Sequence, residues 1–302
     1  MFPVPDQFVR KIEEVHGADG RAWLDRLPIL LAACARQWDL SIGPPFANLS
    51  YHYAAPALRA DGTAVVVKLC APTGEFTREA EALRIFDGRG AVQALAIDPE
   101  HEALLLERLE PGTSPHALVD DAAAIAAAAD VLRQLWRPAP PVHPFPTVAS
   151  WGAGLRRLRA RFAGGTGPFP RPLVEEAERL FVELGATMGA PMLLHGDLNF
   201  GNVLAAQRAP WLAIDPKGLI GEPAYDTGVL LRDPLPQLLQ VPNPGRLLAR
   251  RIDQLADELA LDRARIRGWG LAQAVLSAWW SMEDHGHGWE PALACAELLA
   301  LL

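Results

Sequence analysis

Cysteine is scarce in this chain, three in 302 residues. Cys34, Cys70 and Cys295 stand too far apart to form a ligand set or a disulfide framework, and they read as reduced packing residues. Long apolar runs are also missing. The most apolar stretches, near residues 122–129 and 293–302, are rich in small residues or interrupted by Glu297, and too short to cross a bilayer. Asp6 and Arg10 occupy the segment that an export signal would need to keep apolar, so a cytoplasmic protein with no membrane partner is expected. Positive charge is in deficit: 28 Lys and Arg face 36 Asp and Glu, a net charge of −8. That balance disfavours nucleic acid and suits a cationic small molecule. Disorder and collagen are excluded by a composition that is 50% apolar and 21% charged. At this length a single core stops growing, so two lobes with a ligand-holding cleft are expected, as a monomer or homodimer.

Hydrophobic spacing gives the organisation. Residues 6–38 read as two amphipathic helices, the second carrying Trp23, Leu27, Leu30, Leu31 and Cys34, with a kink expected at Pro28. Residues 50–58 and 63–70 are strand-like and separated by Asp61-Gly62, a hairpin turn pair. A helix over 74–87 and short strands over 91–97 and 103–108 follow. Pro111-Gly112 ends this pattern. Beyond it the spacing predicts helices over 118–136, 149–162, 172–188, 246–259, 262–284 and 290–302, while 192–232 reads as non-helical. No internal repeat is visible. The expected class is α+β: a small lobe over 1–110 with an antiparallel sheet and a helix, then a larger, mostly helical lobe over 111–302.

The chemistry concentrates in residues 192–217. His195, Gly196, Asp197 and Asn202 follow one apolar run, and Trp211-Leu-Ala-Ile precedes Asp215-Pro-Lys217. Such a pattern describes a short strand ending in a polar loop, then a hairpin whose second strand delivers Asp215. Singly, each polar residue could be a turn former. Together, Asp197, Asn202 and Asp215 would converge as oxygen donors, and two acids plus an amide suit Mg2+. The segments 195–204, 211–218 and Pro223-Ala-Tyr-Asp226 resemble the aminoglycoside phosphotransferases, relatives of protein kinases, and within them the streptomycin 6-kinase and hydroxyurea phosphotransferase branch.

That resemblance, which covers about residues 40–300, implies a two-lobed protein-kinase-like fold and an ATP- or GTP-dependent transfer of phosphate to a hydroxyl of a small, cationic molecule. A catalytic loop at 195–202 and a metal segment at 211–218 would lie in the helical lobe. Alternation along the strand puts Lys68 on a face with Val66 and Cys70, and helical spacing puts Glu79 on the stripe of Phe76, Ala82, Leu83 and Phe86. Burying either charge alone is costly, and pairing them resolves both. By the resemblance, Lys68 contacts the nucleotide phosphates and Glu79 orients it. Asp197 accepts or orients the acceptor proton, and Asn202 and Asp215 hold Mg2+. Lys217, just past the metal acid, is placed either to reach the transferring group or as a solvated lysine. His195 and Asp226 shape the loop.

The phosphate loop departs from the protein-kinase pattern. Residues 43–50 hold a single glycine, which leaves Asn48 and Ser50 as candidate phosphate contacts. Backbone near Glu107 and Leu109 is the expected base-binding edge, by position and resemblance. For the acceptor, Glu283 and Asp284 beside Trp279, Trp280 and Trp289 are the expected carboxylates, although an aromatic core helix ending in a polar loop has the same composition. A partner-binding, non-catalytic nucleotide module is the reading from a different class. It requires the loss of a key group, and Lys68, Glu79, Asp197, Asn202 and Asp215 are all present.

Overall fold

The computed structural model describes residues 2–71 and 73–302. The chain opens with α1 (Asp6–Gln37), broken into two helical pieces at Gly17, whose φ of 54° and ψ of −127° suit glycine alone. The chain folds back there. Phe8 meets Trp23 edge-on at 6.2 Å, and the two pieces approach so closely that a Cβ on Gly20 would lie 2.5 Å from the Ile12 carbonyl oxygen. The two helices expected over 6–38 are thus present, but their break is at Gly17 and the helix continues through Pro28. One missing amide does not override a helix anchored by buried Leu27, Leu30, Leu31 and Cys34.

Next come β1 (Leu40–Ile42), β2 (Tyr53–Arg59), β3 (Ala64–Leu69), α2 (Phe76–Phe86), β4 (Ala94–Asp98) and β5 (Ala103–Glu107). They form an antiparallel sheet of order β1-β2-β3-β5-β4. Gly62, at φ 85°, turns the β2–β3 hairpin. Alternation divides β3 between two cores. Val65, Val67 and Leu69 pack with α1 on one face, while Val66 and Cys70 join α2 and the second lobe on the other. Lys68 lies on that second face, which fronts the cleft.

The second lobe contains α3 (Asp121–Leu135), β6 (Arg137–Pro138), α4 (Val148–Gly152), α5 (Gly154–Arg161), α6 (Arg171–Ala186), β7 (Met192–Leu194), β8 (Val203–Ala205), β9 (Trp211–Ala213), β10 (Leu219–Gly221), α7 (Pro223–Arg232), α8 (Pro244–Leu259), α9 (Arg263–His285) and α10 (Glu290–Ala300). The single helix expected over 149–162 is two, α4 and α5. Helix α9 is the hub, packed against α6, α7, α8 and α10. Helix α7 corrects the non-helical reading of 192–232. Its residues from Ala224 to Leu231 are buried on every side, so no amphipathic period marks it. Strands β8 and β9 pair as the expected hairpin, Val203 opposite Ala213, and carry the chain to Asp215. No helix among the described residues is long and apolar enough to cross a membrane.

Candidate active site

A cavity of about 700 Å3 separates the five-stranded sheet from the β8–β9 hairpin. Asn48, Ser50, Lys68, Glu107, Leu109, Asn202 and Asp215 all line it. Lys68 is 3% exposed and Glu79 4%. The Lys68 ammonium donates to both Glu79 carboxylate oxygens, at 2.6 and 2.8 Å, and to Asp215 Oδ1 at 2.9 Å. Burial alone would lower the Lys68 pKa, but Asp215 and Glu79 outweigh it and hold the ammonium above its ordinary value. Burial likewise works to raise the Asp215 carboxyl, and Lys68 reverses it, leaving Asp215 below its ordinary value. A lysine clamped between two carboxylates presents a fixed positive charge at the cavity wall. His52, Cys70 and Glu79 also come within ligand reach of one another. Lys68 already occupies Glu79 there and burial pushes the Cys70 thiol well up, so this corner does not suit a metal.

The loop over residues 195–202 is held from behind. Asp226, fully buried at the start of α7, accepts from the backbone N–H groups of His195 and Gly196 at 2.9 and 2.8 Å and from Trp136 Nε1 at 3.1 Å. Burial pushes its carboxyl up to about 6, against those bonds. His195 is also fully buried. It donates through Nε2 to the Ile214 carbonyl at 2.8 Å and accepts from the Asp197 N–H at Nδ1, 3.2 Å away, so both ring nitrogens are engaged. Burial lowers its pKa to about 4, which keeps it neutral and unsuited to deprotonating an acceptor. Asn202 donates from its amide to the Asp197 carbonyl oxygen at 2.9 Å, which ties the two ends of the loop. The Asp197 carboxyl is raised by burial, with Lys217 and Arg232 pulling it back.

Several partners carry no signal in the sequence. Lys217 donates across the lobe gap to Glu75 Oε2 at 2.9 Å. Glu75 also faces His52, whose Nδ1 accepts from Ala71 N–H and whose Nε2 therefore donates, at 3.3 Å. Burial acts to raise Glu75, but His52 and Lys217 drive it well below its ordinary value. Glu107 gives its N–H to the Gln93 carbonyl and its carboxylate to Arg208, which also holds the carbonyls of Gly88 and Ala91 at 2.6 and 3.0 Å. Residues 106–112 thereby run along the cavity edge in a fixed position. Of the two expected acceptor carboxylates, Glu283 is bound by Arg157 through two 2.7 Å bonds. Asp284 forms no ion pair among the described residues.

The family model described as aminoglycoside/hydroxyurea antibiotic resistance kinase matches residues 47–285. Streptomycin 6-kinase of Streptomyces glaucescens is 34% identical over 294 residues, 97% of this chain and 95% of that one. Hydroxyurea phosphotransferase of Kitasatospora aureofaciens is 35% identical over 294 residues, covering 93% and 81%. Among solved structures, a choline/ethanolamine kinase family protein from Mesorhizobium loti superposes with a TM-score of 0.68 at 15% identity, over 93% of this chain and 95% of that one. Aminoglycoside phosphotransferase APH(4)-Ia with ADP and hygromycin B superposes at 0.63 and 14%, over 89% and 96%. Two lobes, a lysine clamped at the cavity wall, a braced polar loop and nearly full-length likeness to phosphotransferases agree: the chain belongs to the aminoglycoside/hydroxyurea antibiotic resistance kinase family.

Proposed function

We propose that this kinase transfers the γ-phosphoryl group of ATP to a hydroxyl of a cationic antibiotic, with streptomycin the leading acceptor. The observation that carries the reading is the joint placement of Lys68, Asn202 and Asp215 around one cavity, with Glu79 clamping Lys68 and Asp197 on the adjoining loop. In this reading Lys68 meets the nucleotide phosphates, Asn48 and Ser50 supply further polar contacts, and residues 107–109 meet the base edge. Backbone recognition of that kind serves ATP or GTP.

Asn202 and Asp215 fit Mg2+, a hard cation that takes oxygen donors, and both open onto the same cavity. When bound there, the ion would supply positive charge against the nucleotide phosphates. Asp197 accepts the proton of the attacking hydroxyl, and its raised carboxyl pKa makes it a better base than an exposed aspartate. Lys217, held beside Asp197 by Glu75, faces the negative charge that spreads over the transferring group. His195 and Asp226 set the loop geometry without touching the substrate. The proposed setting is cytoplasmic, where ATP is available.

The 35% identity with a hydroxyurea phosphotransferase favours hydroxyurea as the second candidate. Transfer of labelled γ-phosphate to a panel of streptomycin, other aminoglycosides and hydroxyurea separates the two. Label in streptomycin supports the first reading and label in hydroxyurea alone supports the second. Nucleotide binding without transfer to any member overturns both.

A further inference from the structure

The loop over residues 195–202 is gripped near both ends by acids from one helix. Asp226, in the first turn of α7, takes the N–H groups of His195 and Gly196. Asp233, the residue on which α7 ends, takes the Phe200 N–H on its Oδ2 at 2.7 Å. Phe200 opens a single 3-10 turn that closes on Asn202. Asn199 holds that turn together, since its Oδ1 and its carbonyl oxygen both accept from the Asn202 N–H, at 3.2 and 3.0 Å. Asn202 commits its side-chain N–H to the Asp197 carbonyl. Its Oδ1 accepts no hydrogen bond among the described residues and is the atom it can offer to the cavity.

Asp233 is itself held by a group that no local spacing marks. Pro234 and Pro236 follow it and have no N–H to give to the carbonyls at the end of α7. Arg251 of α8, 2% exposed, supplies the missing donors. Its Nη1 donates to the Leu230 and Asp233 carbonyl oxygens at 2.6 Å each and to that of Leu231 at 3.3 Å. Its Nε and Nη2 pair with Asp121, the first residue of α3, so the buried charge is not left alone. The same guanidinium lies over the Phe200 ring, 5.6 Å from its centroid. His116 meets that ring edge-on at 5.5 Å, with its Nε2 3.7 Å from Asp233 Oδ2. Phe200 is thus held by its N–H and by its ring. Helix α3 also packs against β9, the strand that leads to Asp215. Asp121, Asp233 and Arg251 stay off the wall of the cavity that Asn202 and Asp215 line.

We propose that Asp233, fixed by Arg251, is the positioning residue for Asn202: acting through Phe200, it sets the turn that aims Asn202 Oδ1 at the divalent ion of the nucleotide complex. This inference rests on the reading of Asn202 and Asp215 as the ion's ligands and deepens it by naming what aligns the amide. Mg2+ demands near-ideal octahedral geometry, so a neutral amide oxygen serves it only when already in place. A carboxylate receiving a backbone N–H makes a short, charge-assisted bond, which suits Asp233 to hold the turn against the pull of the ion. Asp226 sets the end of the loop before Asp197, and Asp233 sets the end that carries Asn202.

The test is equilibrium binding of the non-hydrolysable ATP analogue AMP-PNP to the full chain, by calorimetry, once with Mg2+ and once in EDTA. The wild-type chain should bind more tightly with the ion. Asp233→Ala should weaken the Kd with Mg2+ at least about ten-fold and leave the Kd in EDTA within about two-fold, the loss expected when a partner that orients an ion ligand is removed. Asp233→Asn keeps an oxygen to accept the Phe200 N–H and should restore most of the gain. Arg251→Lys keeps the charge but cannot reach three carbonyls and Asp121 at once. It should weaken binding with Mg2+ in the same selective way, and it decides the matter if Asp233→Ala does not fold. A Kd with Mg2+ that stays at the wild-type value in the deciding variant overturns the proposal. So does an equal loss in Mg2+ and in EDTA, which a general loosening of the lobe would give. A wild-type chain that gains nothing from Mg2+ fails the ligand reading itself, a result distinct from a wild-type gain that survives Asp233→Ala.

Discussion

Asp197 is the residue on which turnover should depend most steeply. Asp197→Asn should cut kcat by about 10²–10⁴-fold, the usual worth of a positioned base, while the ATP KM stays nearly constant. Burial raises its carboxyl above the ordinary 3.8. With Asp197 as the proposed base its ionised form is the active one, so kcat/KM should fall as pH drops through a value higher than 3.8, and a pH–rate profile of the wild-type chain checks this. His195 and Asp226 make a pH statement about stability. His195 is lowered from 6.5 to about 4, so its contribution is present above pH 6.5 and is lost as pH falls toward 4, about 3 kcal/mol in all. Asp226, raised from 3.8 to about 6, works the opposite way: the fold gains as pH falls from 6 toward 3.8, by a similar amount. The two oppose each other in the wild-type chain. In His195→Gln the His195 loss is removed, so denaturant unfolding should show that variant gaining stability relative to the wild type as pH falls from about 7 to about 4.5. Lys68 and Glu79 were legible in the sequence because each breaks an otherwise apolar period. Glu75 was not, since its partner Lys217 is 142 positions away and nothing local marks the pair. The Arg157 partner of Glu283 was hidden for the same reason, lying 126 positions back.

At the scale of elements, periodicity located most helices and the β2–β3 hairpin, because each has one wet and one dry side. It failed at α7, which is dry all round, and at the break in α1, where proline was the louder signal. Gly17 adopts a left-handed backbone with no atom near its missing Cβ, so Gly17→Ala meets strain alone, about 1–3 kcal/mol. Gly185, within α6, has no positive φ and equally open surroundings. There the same change should stabilise by about 0.5–1 kcal/mol through helix propensity. Thermal melts of the two variants should therefore move in opposite directions.

At the scale of the molecule, both lobes were foreseeable from the switch of period near residue 110, but the ties between them were not. Lys68 reaches Asp215, Lys217 reaches Glu75, Arg208 reaches Glu107, and Ala213 exchanges backbone bonds with Gly90 and Val92. Bound Mg-ATP should raise stability by about 2.7 kcal/mol at a hundred-fold excess over Kd. Asp215→Asn should lose most of that gain, as a thermal-shift titration would read. Lysine occurs in this chain at positions 11, 68 and 217 alone. Each of the three belongs to a different part of the molecule: the hold of α1 on Tyr51, the cavity wall, and the bridge to Glu75. Biosynthetic 15N-lysine labelling would thus give one backbone amide resonance for each part, a three-channel readout of how nucleotide and acceptor occupancy are coupled.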